Sequence, residues 1–116
     1  MARIGHWLLM AEEVLLVLST FGNVEEARRV ARQLVEERLA ACVNLVPGIE
    51  SIYRWKEKVE SAAEVLLLMK TTRDRYDALE RRIRELHSYE VPEVLSFRIE
   101  EGLPAYLRWV ETSCAW

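Results

Sequence analysis

Two cysteines, three prolines, four glycines and two histidines are all that the 116 residues hold of those types. Each shortage excludes something. Cys42 and Cys114 show no metal-type spacing and form no disulfide framework. A reducing cytoplasm is therefore the expected compartment. With only His6 and His87 there is no recognisable catalytic triad, and no glycine-rich phosphate loop is present. No apolar run approaches membrane-spanning length, and the apolar patch in MARIGHWLLMAEE is too short for a signal-peptide core. A basic excess is missing as well: a net charge of -3 and a pI near 5.5 give no footprint for nucleic acid. What is present suits one compact globular domain, with 51% hydrophobic and 30% charged residues. Residues 1–12 read as an N-terminal extension, with Met10 an alternative start, and residues 13–116 as a single domain.

Val14 to Ser19, VLLVLS, is apolar on both faces, as a central strand must be. Asn23 is placed to cap a helix, with Glu26 three residues on. There Val24, Ala27, Val30, Ala31, Leu34, Val35 and Leu39 recur at helical spacing. Cys42 to Trp55 and Val59 to Met69 are β-prone runs around the charged turn Lys56-Glu57-Lys58, a long antiparallel hairpin. Pro47-Gly48 marks its outgoing arm as an edge strand with a bulge. The apolar stretch Val65 to Met69 marks the return arm as central. Asp74 is the expected cap of a second helix with Tyr76, Leu79, Ile83 and Leu86 on one face. Arg73, Arg75, Arg81, Arg82 and Arg84 interleave with acids on a salt-laced surface. After a loop at 87–93, Val94 to Glu100 alternates like an edge strand, and Gly102 and Pro104 open a last helix.

The order β-α-β-β-α-β-α, with right-handed crossovers, gives an α+β fold with antiparallel sheet order 4-1-3-2. This is a ferredoxin-like split βαβ sandwich with a long second hairpin and an extra C-terminal helix. The hairpin is too long for its body. An arm from Ala41 to Trp55 spans ~45 Å at ~3.3 Å per residue, whereas a domain of about 100 residues has a radius of gyration near ~13 Å. Its tip carries Ile52, Tyr53 and Trp55, and exposed aromatics on a projecting arm predict an oligomer.

Three stretches, ERLAACVNLVPGIESIYRW, EVLLLMKTT and HSYEVPEV, together with the terminal YLRWV, resemble the CutA family, named for divalent-cation tolerance. The resemblance runs from about Val14 to Thr112. It implies a homotrimer, similar in architecture to PII-type signalling proteins, in which edge strands and projecting hairpins pair between subunits. It also implies a link to copper or another divalent cation and small-ligand clefts between subunits. This chain departs from the family pattern at Ser88, where proline is usual, and at Glu57, where glycine is usual. Ser61, Ala62 and Ala63 stand where acidic residues are usual. At the positions of a family copper set stand Ser19, Leu86 and His87, of which only His87 is a strong copper ligand.

On these grounds His87 is the metal candidate, against a simpler role closing its helix. Tyr89, Glu90 and Lys70 are the candidate ligand-binding residues, with Lys70 at a strand end near helix amides that suit an anion. Ile52, Tyr53 and Trp55 are the expected trimer anchors. Cys42 reads as a buried structural thiol. The expected function is that of a cytoplasmic trimer acting in metal tolerance by binding, not catalysis. The alternatives are a PII-like signalling or scaffold protein with no metal role, and an enzyme working in the inter-subunit cleft through Glu90, Tyr89 or Lys70. Neither nucleic acid nor membrane is an expected partner.

Overall fold

Two apolar periods alternate along the chain, and each becomes the element that its period dictates. A computed structural model describes residues 12–115; the expected extension, Glu12 apart, lies outside the described residues. In chain order the elements are β1 (Val14–Phe21), α1 (Val24–Glu36), β2 (Cys42–Trp55), β3 (Lys58–Thr72), α2 (Arg73–Leu86), β4 (Leu95–Arg98) and α3 (Pro104–Cys114). The strands form one antiparallel sheet in the order β2-β3-β1-β4. That is the expected order, with β1 and β3 central, and the ferredoxin-like arrangement with an added C-terminal helix.

Alternation along the two central strands sends side chains to opposite faces. Leu15, Val17 and Phe21 of β1, with Val65, Leu67 and Met69 of β3, meet Ala27, Val30, Ala31 and Leu34 of α1 and Leu79 and Ile83 of α2. This is the main core. Leu16, Leu18, Leu66, Leu68 and Val46 alternate to the face turned away from α1 and α2, beside Leu95 and Phe97. Leu95 and Phe97 are each 50% exposed, so this second apolar face is only partly covered.

The helix ends depart from the sequence reading in two places. Leu39 continues the apolar period of α1, yet the helix stops at Glu36 and Arg38 takes φ 60°. The Leu39 N–H then bonds Leu34 O at 2.9 Å and the Arg38 N–H bonds Val35 O at 3.0 Å. This Schellman closure folds Leu39 back into the core from outside the helix. At α2 the cap is Thr72, not Asp74. Asp74 sits inside the first turn, and its N–H donates to Glu12 Oε1 at 2.9 Å. A carboxylate from before β1 thus satisfies an amide that the helix cannot.

α3 closes the end of the sheet where β1 begins: Val110 and Cys114 pack with Val14 and Ala41. Here Arg75 corrects the sequence reading. Its place in the arginine-rich stretch predicts a surface position, but it is 3% exposed and its Nε–H donates to Cys114 O at 2.6 Å. It shares a four-residue spacing with buried Leu79 and Ile83, which the sequence displays.

The β2–β3 arm makes the domain long, with extents of 58 × 26 × 22 Å and a radius of gyration of 16.1 Å. A compact domain of about 100 residues has ~13 Å. The register shifts between Val46 and Ile49, at Pro47-Gly48, where Gly48 adopts φ 78°. The arm is closed by two residues, Lys56 and Glu57, at φ 48° and 67°. Positive values at both positions are those of a type I′ hairpin turn, although neither residue is glycine or asparagine.

Candidate functional site

The loop after α2 holds most of the expected site residues, and it is built around a histidine. His87 caps α2, its N–H bonding Ile83 O at 2.9 Å. Its ring is buried and stacks on Phe21, with centroids 4.1 Å apart. Nε2 lies 2.7 Å from the Thr20 carbonyl, which can only accept, so Nε2 carries the proton. Nδ1 accepts the Tyr89 N–H at 3.0 Å. The ring is therefore a neutral imidazole with both nitrogens in use.

The next residues are held as firmly. Ser88 donates to Glu26 through its N–H at 2.8 Å and its hydroxyl at 3.0 Å. Sequence spacing paired Glu26 with Asn23 in a capping box. Half of that box forms: Asn23 Oδ1 accepts the Glu26 N–H at 2.8 Å. The Glu26 carboxylate turns instead to a serine 62 positions away. Tyr89 donates its hydroxyl to Glu64 Oε2 at 2.6 Å. Burial first, and then Glu64, push its phenol up to about 12. Glu90 follows at the surface.

Lys70 is elsewhere. It stands six residues along β3 from Glu64, about 20 Å at the strand rise. Its Nζ donates to Asn44 Oδ1 and lies 3.9 Å from Cys42 Sγ. One chain thus brings His87, Tyr89 and Glu90 together and leaves Lys70 apart. Cys42 is half-buried, more open than the buried thiol that the sequence suggested.

At the far end of the arm Trp55 is 57% and Ile52 69% exposed, with Tyr53 also open. The register puts Tyr53 and Trp55 on one face of the arm and Ile52 on the other, near Val59. Lys56 Nζ sits 5.7 Å from the centre of the Trp55 ring. Two shallow grooves lie elsewhere. One of ≈ 400 Å³ runs past Arg28, Arg32, Val43 and Leu45. Another of ≈ 470 Å³ runs past Glu37, Leu39, Arg81 and Arg82.

Among the described residues no three His, Cys, Asp or Glu side chains are grouped to share a metal ion. Of the three positions aligned with a family copper set, Ser19 is fully buried in the core and Leu86 packs against it. His87 has no free nitrogen. Glu26, Glu64 and the Thr20 carbonyl, which hold the loop, escaped the sequence reading because nothing local marks a partner dozens of residues away.

The family described as CutA1 divalent ion tolerance protein matches residues 15–113. The "Divalent-cation tolerance protein CutA" of Thermus thermophilus is 50% identical over 99 residues, 85% of this chain and 94% of that protein. The rice "Protein CutA 1, chloroplastic" is 44% identical over 99 residues, 85% of this chain but 56% of that protein. The crystal structure of CutA from Xylella fastidiosa superposes with a TM-score of 0.86 at 41% identity, covering 88% of this chain and 98% of that one.

Proposed function

The chain belongs to the CutA1 divalent ion tolerance protein family, and from that premise we propose that it works as a homotrimer in divalent-metal tolerance, with copper the first metal to test. In this reading the trimer binds a metal ion or small ligand in clefts between subunits and does not catalyse a reaction.

The observation that carries the reading is the arm. It projects from a body 26 × 22 Å in section and exposes apolar side chains on both of its faces. A second copy is the natural cover for Tyr53, Trp55 and Ile52, and for the open sheet face around Leu95 and Phe97. Among the described residues the outer sides of β2 and β4 are unpaired edges of the sheet. Pairing such edges head to tail around a threefold axis removes both. Assembly would also answer the separation of the ligand candidates, because Lys70 of one copy can face Tyr89 and Glu90 of another across a cleft. A metal held there would draw ligands from more than one chain, or from His87 after its loop bonds are broken. Two free thiols, Cys42 and Cys114, favour a reducing cytoplasm. Among the described residues no helix is long and apolar enough to cross a membrane.

A PII-like signalling or scaffold trimer with no metal role is the second reading. The full engagement of both His87 nitrogens favours it. Native mass spectrometry of the purified protein, followed by copper titration, separates the two. Three copies with saturable copper binding that weakens in His87→Ala support the first. Three copies with no copper binding beyond that variant leave the second. A folded single copy overturns both.

A further inference from the structure

Cys42 and Lys70 face each other directly across β2 and β3. Opposed residues of antiparallel strands hold their Cβ atoms about 5 Å apart. The ladder therefore fixes this pair before any side chain moves. Lys70 Nζ lies 3.9 Å from Cys42 Sγ, and its other contact is Asn44 Oδ1 on the same strand as the thiol. Cys42 is half-buried, at the start of β2. Cys114 is the contrast within the chain. It is 2% exposed and its near neighbour is the Thr71 hydroxyl.

We propose that Cys42 and Lys70 form a peroxide-sensitive pair that closes into a covalent sulfur–nitrogen link. The Cys42 thiolate attacks hydrogen peroxide: an S–O bond forms, the O–O bond breaks and hydroxide leaves, giving a sulfenic acid. The Lys70 amine, after losing a proton to solvent, attacks that sulfur. An S–N bond forms, the S–O bond breaks, and the oxygen departs as water with a proton from nitrogen. In sum, thiol, amine and one peroxide give a sulfenamide and two waters. Sulfur is oxidised by two electrons and the peroxide is reduced by two. The link ties the start of β2 to β3 at the open end of the hairpin, within the body of the sheet, and a thiol reductant reopens it. It needs neither a bound metal nor the trimeric reading.

The test treats the assembled protein with hydrogen peroxide and reads intact mass and peptide maps. The expected product has lost two hydrogens per chain, joins the Cys42 and Lys70 peptides, and reverts with dithiothreitol. Cys114→Ser behaves as the parent does. Lys70→Arg, checked for an unchanged circular dichroism spectrum, gains oxygen at Cys42 without the link, and Cys42→Ser shows neither change. Oxygen gain without a link in the parent, a link through another lysine, one that retains oxygen, or an inert Cys42 overturns the proposal.

Discussion

His87 shows how a metal-type residue can be used up by structure. Its two nitrogens hold a carbonyl at the end of β1 and an amide of its own loop. The loop thereby becomes an extension of the sheet end. Tyr89 carries the same logic outward through Glu64, and two outcomes follow. Tyr89→Phe should cost about 1–2 kcal/mol, in the range of hydrogen bonds to charged acceptors at a half-exposed site, read by urea unfolding at fixed protein concentration. The phenol's folded value is raised from 10.0 to about 12. Its contribution is therefore complete below pH 10 and lost as pH rises through about 12. The midpoint of the parent should fall across that window more steeply than that of Tyr89→Phe. Ser19 is the opposite case, a buried hydroxyl with no hydrogen-bond partner among the described residues. Its desolvation is uncompensated, so Ser19→Ala should leave stability unchanged or raise it by up to ~1 kcal/mol. A loss of more than about 1 kcal/mol on the same urea curves would contradict that account.

At the scale of elements, the β2–β3 turn is where local sequence and local geometry disagree. Lys56 and Glu57 both hold positive φ, a region costly for residues with a Cβ. Replacing the pair by Asn-Gly should stabilise the hairpin by about 1 kcal/mol, seen as a higher urea midpoint with an unchanged slope. The sequence showed the charged turn but not its type, because type I′ is usually announced by the residues missing here. The Pro47-Gly48 bulge and the Asn23 cap were legible because each rests on a local pattern, and strand order was legible because two-faced apolar runs mark β1 and β3 as central and crossovers are right-handed. The end of α1 was not, because Leu39 keeps the helical period while the chain has already turned at Arg38. The caps of α2 and of the His87 loop were also hidden. Both are completed by carboxylates, Glu12 and Glu26, that arrive from 62 residues away. Arg75 was readable in principle from its spacing to Leu79, but its charge argued for the surface.

The whole molecule poses a question of coverage. A sheet that helices cover on one side only is expected to have one apolar face, yet this sheet has a second, with Leu95 and Phe97 half open. The arm adds apolar side chains on both of its own faces at the far end of a 58 Å axis. Such surfaces are stable in water when a like copy supplies the missing wall. Shortening the arm by removing residues 51–60 should therefore leave a folded chain that assembles poorly, with a smaller sedimenting mass at equal concentration. The most direct measurement is sedimentation equilibrium of the intact protein at micromolar concentration, joined to the fluorescence difference between the parent and Trp55→Phe. The account predicts three times the 13.6 kDa chain mass and a blue-shifted Trp55. A folded 13.6 kDa species whose Trp55 emits as a water-exposed indole would contradict it.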